Sequence, residues 1–381
     1  MGIGVRRAVI ALFGALIVCA AAPGQTAEQS APAIDGRPPL TLVSWGGAYT
    51  RSIMAAYVKP FREATGHWVR VEEYDGSFDK IRKQVETMNV TWDLVSVNLV
   101  NAQRGCDEGL LEPISPSILS PAPDGTPAEK DFYQAALMKC GIGYDILSTV
   151  VAYDTTRMGD QTPTSLHDFF DLDSYPGPRG LRRRPQVALE WALLADGVPA
   201  AEIYHVLETP KGLERAFDVL DRIKPSIVWW DHGEEPIRLL EEGEVVMSSV
   251  WNGRVYAATA WAKAPLAIIW DGQVWNMDVW VMPKGGPNPQ LAKEFITFAT
   301  DPKRMAAQTS YLAYGPTRRS ALKLIPEKVK QHMPTADDRI ASAIRIDYAW
   351  WAKHGKRIRR QFDAWVEAEP FEYDFNPPTA H

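Results

Sequence analysis

Cysteine and histidine are scarce in this chain, with three and seven copies among 381 residues. The histidines are scattered and no two stand at metal-ligand spacing, so neither a metal site nor another bound cofactor is expected. Also missing are a G-x-S-x-G nucleophile elbow, an H-E-x-x-H helix and a phosphate-binding P-loop lysine. Positive charge is not in excess: 41 lysines and arginines face 47 aspartates and glutamates, for a net charge of -6. That balance argues against a nucleic-acid binder, which would carry a basic stripe. Beyond the N-terminus, no uninterrupted apolar run is long enough to cross a bilayer.

The N-terminus is the exception. Arg6-Arg7 precede the apolar run Ala8 to Val18, and small residues follow. This order of charge, apolar stretch and small residues marks a secretory signal, and a periplasmic protein is expected. Residues 1–27 are assigned to the signal, with cleavage after Ala27; Gln25 is a poor residue before such a cut, and Ala22 is the alternative end. Val18 is too bulky to precede a lipidated Cys19. Residues 28–39, with Pro32, Pro38 and Pro39, read as a flexible leader. Once Cys19 is removed, Cys106 and Cys140 remain. In an exported protein they either pair or lie buried apart. A bridge would contribute on the order of 3–4 kcal/mol by closing its loop in the unfolded chain.

Past residue 40, the apolar pattern alternates between strand and helix. Residues 40–44, 68–72 and 92–97 read as strands, and 52–65 and 78–88 as helices. The β-α-β-α-β order predicts a mostly parallel sheet with helices on its faces. Ligands bind beyond the carboxyl ends of such strands. This puts Ser44-Trp45-Gly46-Gly47 and Ser96-Val97-Asn98 at the mouth of a first lobe. Residues 149–153 read as a strand crossing into a second lobe, and 279–282 as one returning. Between them, strands are expected at 244–250 and 266–270, helices at 190–195, 200–207 and 213–223, and a short helix capped by Thr164. Helices at 289–299 and 302–311 and a helix-rich end at 335–368 complete the chain.

Tryptophan is what the sequence has in plenty, with 14 copies. The densest stretch runs from Trp270 to Trp280 as W-D-G-Q-V-W-N-M-D-V-W, preceded by Trp229-Trp230-Asp231 and Trp251-Asn252-Gly253. An indole face attracts a cation through its quadrupole, and a carboxylate adds charge and hydrogen-bond acceptors. Interleaved, the two residue types are the expected lining of a box for an ammonium-bearing molecule, although any single tryptophan is more often core. Glu234-Glu235 and Glu241-Glu242 could be the acids of a glycosidase. Adjacent glutamates on a helix read first as a solvated face.

Several of these segments fall in one familiar order. They are Trp92-Asp93-Leu94-Val95 with Glu108-Gly109-Leu110-Leu111-Glu112-Pro113-Ile114, then Gly243-Glu244-Val245, Trp251-Asn252-Gly253, Met277-Asp278 with Pro283, and Tyr314-Gly315-Pro316-Thr317. Over residues 40–368 the chain resembles the periplasmic polyamine-binding proteins. The resemblance implies an α/β fold of the two-lobe periplasmic binding protein type (type II). Each lobe is then a mostly parallel sheet flanked by helices, joined to the other by crossing hinge strands. Lobe 1 is expected at 40–148 plus 280–318, and lobe 2 at 149–279 plus 319–381. The resemblance also implies a monomeric receptor without catalysis, handing a small amine ligand to the membrane permease of an ATP-binding-cassette importer. Trp45 looks like the family's first-lobe aromatic, and Asn98 stands where the family has a serine near the ligand. Trp251 looks like the second-lobe indole that stacks on the ligand, Asp278 like the carboxylate accepting from its amine, and Tyr314 like a hinge-side aromatic.

Three positions depart from the family. Arg182-Arg183-Arg184-Pro185-Gln186-Val187 stand where two acids hold the second amine, Val100 replaces a tyrosine, and Asn276 replaces a tryptophan for which Trp275 is the candidate substitute. A buried charge needs a partner, so losing two acids disfavours a long dication. An arginine pointing inward would instead suit a carboxylate on the ligand. Putrescine or spermidine is the first expectation and a zwitterionic amino-acid-like solute the second. A secreted carbohydrate-active enzyme is the alternative from a different class.

Overall fold

The computed structural model describes Met1, residues 39–159, 161–336, Arg339 and residues 343–368. The expected signal peptide with Cys19, the leader up to Pro38 and the tail after Ala368 lie outside the described residues. Eleven strands join in one sheet. They are β1 (Leu40–Ser44), β2 (Val69–Glu73), β3 (Leu94–Asn98), β4 (Leu137–Met138), β5 (Gly141–Asp154), β6 (Arg179–Arg182), β7 (Ile227–Trp230), β8 (Met247–Trp251), β9 (Leu266–Val281), β10 (Gly315–Pro316) and β11 (Ile344–Arg345).

The two halves of the sheet repeat one plan. In the first, β2, β1 and β3 run parallel and β9 joins β3 antiparallel. In the second, β7, β6 and β8 run parallel and β5 joins β8 antiparallel. At the centre β5 and β9 pair with each other, also antiparallel. Parallel strands covered by helices on both faces read as near-continuous apolar runs. The result is a two-lobe α/β architecture joined by two long strands.

Those long strands are where the sequence pattern is least explicit. Only 149–153 of β5 reads as strand from sequence, and β9 reads as two pieces. The break has a physical cause: the ladder between the two strands passes from Val151–Ile269 to Thr149–Val274, and residues 270–273 loop out between. Gly272 takes the left-handed φ of 70° that such a bulge needs. Its carbonyl accepts from Trp191 Nε1 at 2.7 Å, and Asp271 Oδ2 accepts from the Leu166 N–H at 2.9 Å. The helix Leu166–Phe170 is capped by Ser165 in a capping box with Asp168, one residue later than expected.

The apolar core divides along the same line. One cluster gathers side chains from 40–147 and 277–321, and another gathers those from 151–274 and 344–365 together with Val100. The C-terminal helix Tyr348–Glu367 seats Trp351, Phe362 and Trp365 in the second cluster. Cys106 and Cys140 are bonded, with Cα atoms 5.6 Å apart. The bridge ties the helix Leu99–Asp107 to the start of β5. No helix among the described residues is long and apolar enough to cross a membrane.

Candidate ligand-binding site

Parallel strands of both lobes aim their carboxyl ends at one gap, where ligands bind in open α/β sheets. Trp45 follows β1, Asn98 ends β3, Arg182 ends β6 and Trp251 ends β8, and all four line one cavity. The crossing strands add Leu147 from β5 and Asn276 and Asp278 from β9, while Tyr49, Arg254 and Tyr314 close the walls. The space within the cavity and its open mouth is about 370 Å³.

The lobes touch across this cavity. Arg254 Nη2 donates to the Gly46 carbonyl at 3.1 Å, and the Arg51 guanidinium lies 3.8 Å from the Glu234 carboxylate. The Trp45 and Trp251 rings are 6.5 Å apart between centroids. Gly47 makes the approach possible: its φ is 58°, and a Cβ there would sit 1.8 Å from Glu234 Oε1.

Asp278 is the carboxylate among the residues that line the cavity. Asp278 stands directly opposite Asn98 on β3 and Asp145 on β5. It is 4% exposed, and burial lifts its carboxyl to about 7; hydrogen bonds with Tyr49 and Asp145 and the charges of Arg254 and Arg182 keep it from rising further. Asp145 is driven well above the carboxylate range by burial and by the charge of Asp278. Behind them the hydroxyls of Tyr49, Tyr144 and Ser96 form a hydrogen-bonded cluster. Ser96 Oγ accepts from Trp45 Nε1 at 2.8 Å, which fixes the indole against the wall. Asn98 Oδ1 caps its own helix by accepting from the Asn101 N–H at 2.9 Å.

The same cavity is lined by two arginines. The Arg182 and Arg254 guanidinium groups lie over the Trp251 ring, at 4.9 and 5.7 Å from its centroid. Trp251 is itself held edge-on by Trp230 at 5.7 Å. Nε of Arg182 and both Nε and Nη1 of Arg254 are buried and make no hydrogen bond, a condition that is rare for interior N–H groups. Burial lowers both arginines, Arg182 to about 9, so both stay cationic at neutral pH. The neighbouring arginines are committed elsewhere: Arg184 pairs with Asp231 at 2.9 Å and Arg183 with Glu367 at 3.2 Å.

Of the residues singled out from sequence, Trp45, Asn98, Trp251, Asp278 and Tyr314 line this cavity, and Trp275 does not. The Trp275 ring lies under the Arg345 guanidinium at 5.3 Å and packs against the first core. Trp270 lies in the bulge under Arg339 at 4.1 Å, and Trp280 is buried and stacked on Tyr144 at 4.1 Å. The stretch from Trp270 to Trp280 therefore forms no box of its own; a strand side chain changes face at each step, and only Asp278 of its acids reaches the cavity. Tyr49 and Arg254 escape a reading focused on aromatics and acids. Their signal is position, since each follows a strand-end tryptophan by four and three residues at the start of a helix. Asp278 in the wall and Asp145 behind it are neighbours on paired strands, whereas glycoside hydrolysis needs two acids flanking the scissile bond.

The sequence profile of the bacterial extracellular solute-binding proteins matches residues 56–335. The gamma-aminobutyric acid-binding protein of Pseudomonas aeruginosa (strain PAO1) is 39% identical over 357 residues, covering 94% of this chain and 96% of that protein. A solved structure of a GABA receptor superimposes with a TM-score of 0.75 at 29% identity, covering 88% of this chain and 100% of that one. The polyamine likeness is weaker and partial. The spermidine/putrescine-binding periplasmic protein of Salmonella typhimurium is 28% identical over 122 residues, 32% of this chain and 34% of that protein.

Proposed function

The chain belongs to the bacterial extracellular solute-binding protein family, a receptor serving an ATP-binding-cassette importer, and on that premise we propose that its solute is a small zwitterion. The solute carries an ammonium at one end and a carboxylate at the other, as gamma-aminobutyric acid does. The observation that carries this reading is that one cavity is lined by both kinds of charge, the carboxyl of Asp278 and the guanidinium groups of Arg182 and Arg254. A guanidinium is a planar fork of donors that matches a carboxylate, and the N–H groups of both arginines that make no hydrogen bond fit such a partner, with Arg254 Nη1 also 3.9 Å from the Glu234 carboxylate. The relative from Pseudomonas aeruginosa named for gamma-aminobutyric acid supports the same choice. A diamine fits less well, because its second ammonium would meet two arginines instead of acids.

In this reading Asp278 accepts from the ammonium, and Trp45 and Tyr314 wall the alkyl chain. Trp251 carries the two guanidinium groups near its ring and holds them for the carboxylate. The lobes divide as 40–148 with 280–318 and 149–279 with 319–381, a division that the two core clusters support apart from Met277, Val279 and Ala321, which pack in the first, and Val100, which packs in the second. The ligand bridges the lobes and draws them closed by its greater affinity for the closed form.

A thermal-shift screen of the mature protein tests the reading. Gamma-aminobutyric acid and related ω-amino acids should raise the melting temperature, by about 2.7 kcal/mol of stabilisation at a hundredfold excess over Kd. Asp278→Asn should abolish the shift. A shift with putrescine or spermidine and none with ω-amino acids would remove the zwitterion reading.

A further inference from the structure

Asp145 stands behind the cavity and does not line it, yet its two carboxyl oxygens are treated differently. It lies on β5 directly across from Asp278 and is 1% exposed. Its Oδ2 accepts two hydrogen bonds, from Tyr49 Oη at 3.2 Å and Gln308 Nε2 at 3.0 Å. Gln308 cannot turn its amide over without loss, because its Oε1 accepts the Tyr57 hydroxyl at 2.7 Å. Oδ1 receives no donor from the protein and is buried. The Asp145 carboxyl is within hydrogen-bond reach of the carboxyl of Asp278.

An ionised carboxylate only accepts hydrogen bonds. Two ionised groups here would set acceptor against acceptor, bury an unsatisfied oxygen and hold two like charges together in a low-dielectric interior. One proton on Oδ1 removes all three costs, since the acid O–H then donates to Asp278. The surroundings leave the proton with Asp145. Arg254 from the helix Asn252–Trp261 and Arg182 from β6 act on Asp278 and favour its anion. The groups packed nearest Asp145 are the phenols Tyr49, Tyr57, Tyr144 and Tyr314, all kept neutral by burial.

We propose that Asp145 is a neutral carboxylic acid whose proton, donated to Asp278, fixes Asp278 as the single anion of the cavity. It is a positioning residue that sets how much positive charge Asp278 accepts: one ammonium and no second. This inference rests on the reading of Asp278 as the ammonium partner. No proton leaves Asp145 when the ligand enters. Below about pH 7 the proton expelled by an incoming ammonium belongs to Asp278.

The test is Asp145→Asn, whose amide N–H replaces the acid O–H while its oxygen keeps the Tyr49 and Gln308 bonds. With gamma-aminobutyric acid as probe at pH 8, the variant should bind within about threefold of the wild type, while Asp278→Asn loses at least about a hundredfold. A tenfold or greater loss in Asp145→Asn would overturn the proposal, because it would mean that an ionised Asp145 contributes charge. A second readout needs no ligand. The infrared difference spectrum of unliganded wild type against Asp145→Asn should contain the carbonyl stretch of a protonated carboxyl at pH 8, and its absence would also overturn the proposal. If the probe binds neither protein while that band is present, the ligand reading fails and the proton assignment stands.

Discussion

At the scale of single residues, the role proposed for Asp278 ties affinity to pH. An ammonium needs the ionised carboxylate, and burial places its titration at about 7. The free protein therefore binds a proton there as pH falls, and that proton competes with the ligand. Affinity should be level above about pH 8 and fall roughly tenfold per pH unit below about 7. Isothermal titration across that range checks it, and a Kd independent of pH would contradict the assignment. The arginines have their own signature. Arg182→Met and Arg254→Met should each weaken binding of a carboxylate-bearing ligand by about tenfold to a hundredfold, the size of a charged hydrogen bond. They should weaken the corresponding simple amine far less. Trp45, Trp251 and Asp278 are legible in the sequence because strand ends and a recognisable motif mark them. Arg182 is half legible: the missing acids at 182–187 point to an inward arginine but not to which one. Trp275 is misleading because one step along β9 reverses the face.

At the scale of elements, the crossing strands decide the chemistry. β5 and β9 bring Asp145 and Asp278 side by side, although the residues are far apart in sequence. Neither strand is easily read from the chain. β5 has no alternation because both its faces are covered, and the polar bulge at 270–273 hides the continuity of β9. By contrast, β1 and β3 are read nearly to the residue, since short apolar runs end abruptly at Trp45 and Asn98. The disulfide belongs to this scale too. It closes a separation of 34 residues, so replacing both Cys106 and Cys140 by serine should cost about 4 kcal/mol in denaturant unfolding. Ligand affinity should be unchanged, because neither residue lines the cavity. A large loss of affinity at unchanged stability would contradict that separation of roles.

At the scale of the whole molecule, two repeated half-sheets face each other across a cavity to which both contribute. The first lobe brings Trp45 and Asn98, the second brings Arg182, Trp251 and Arg254, and Asp278 comes from the strand between them. In the proposed mode, a zwitterion held by Asp278 and the arginines and walled by Trp45 would touch both lobes at once, which couples binding to closure. The matched pair that isolates this claim is gamma-aminobutyric acid and putrescine, similar in length and differing at one end by a carboxylate or a second ammonium. Isothermal titration of both against the wild-type mature protein at pH 8 is the most direct measurement. The account predicts that gamma-aminobutyric acid binds at least about a hundredfold more tightly, about 2.7 kcal/mol. Equal or tighter binding of putrescine would contradict it.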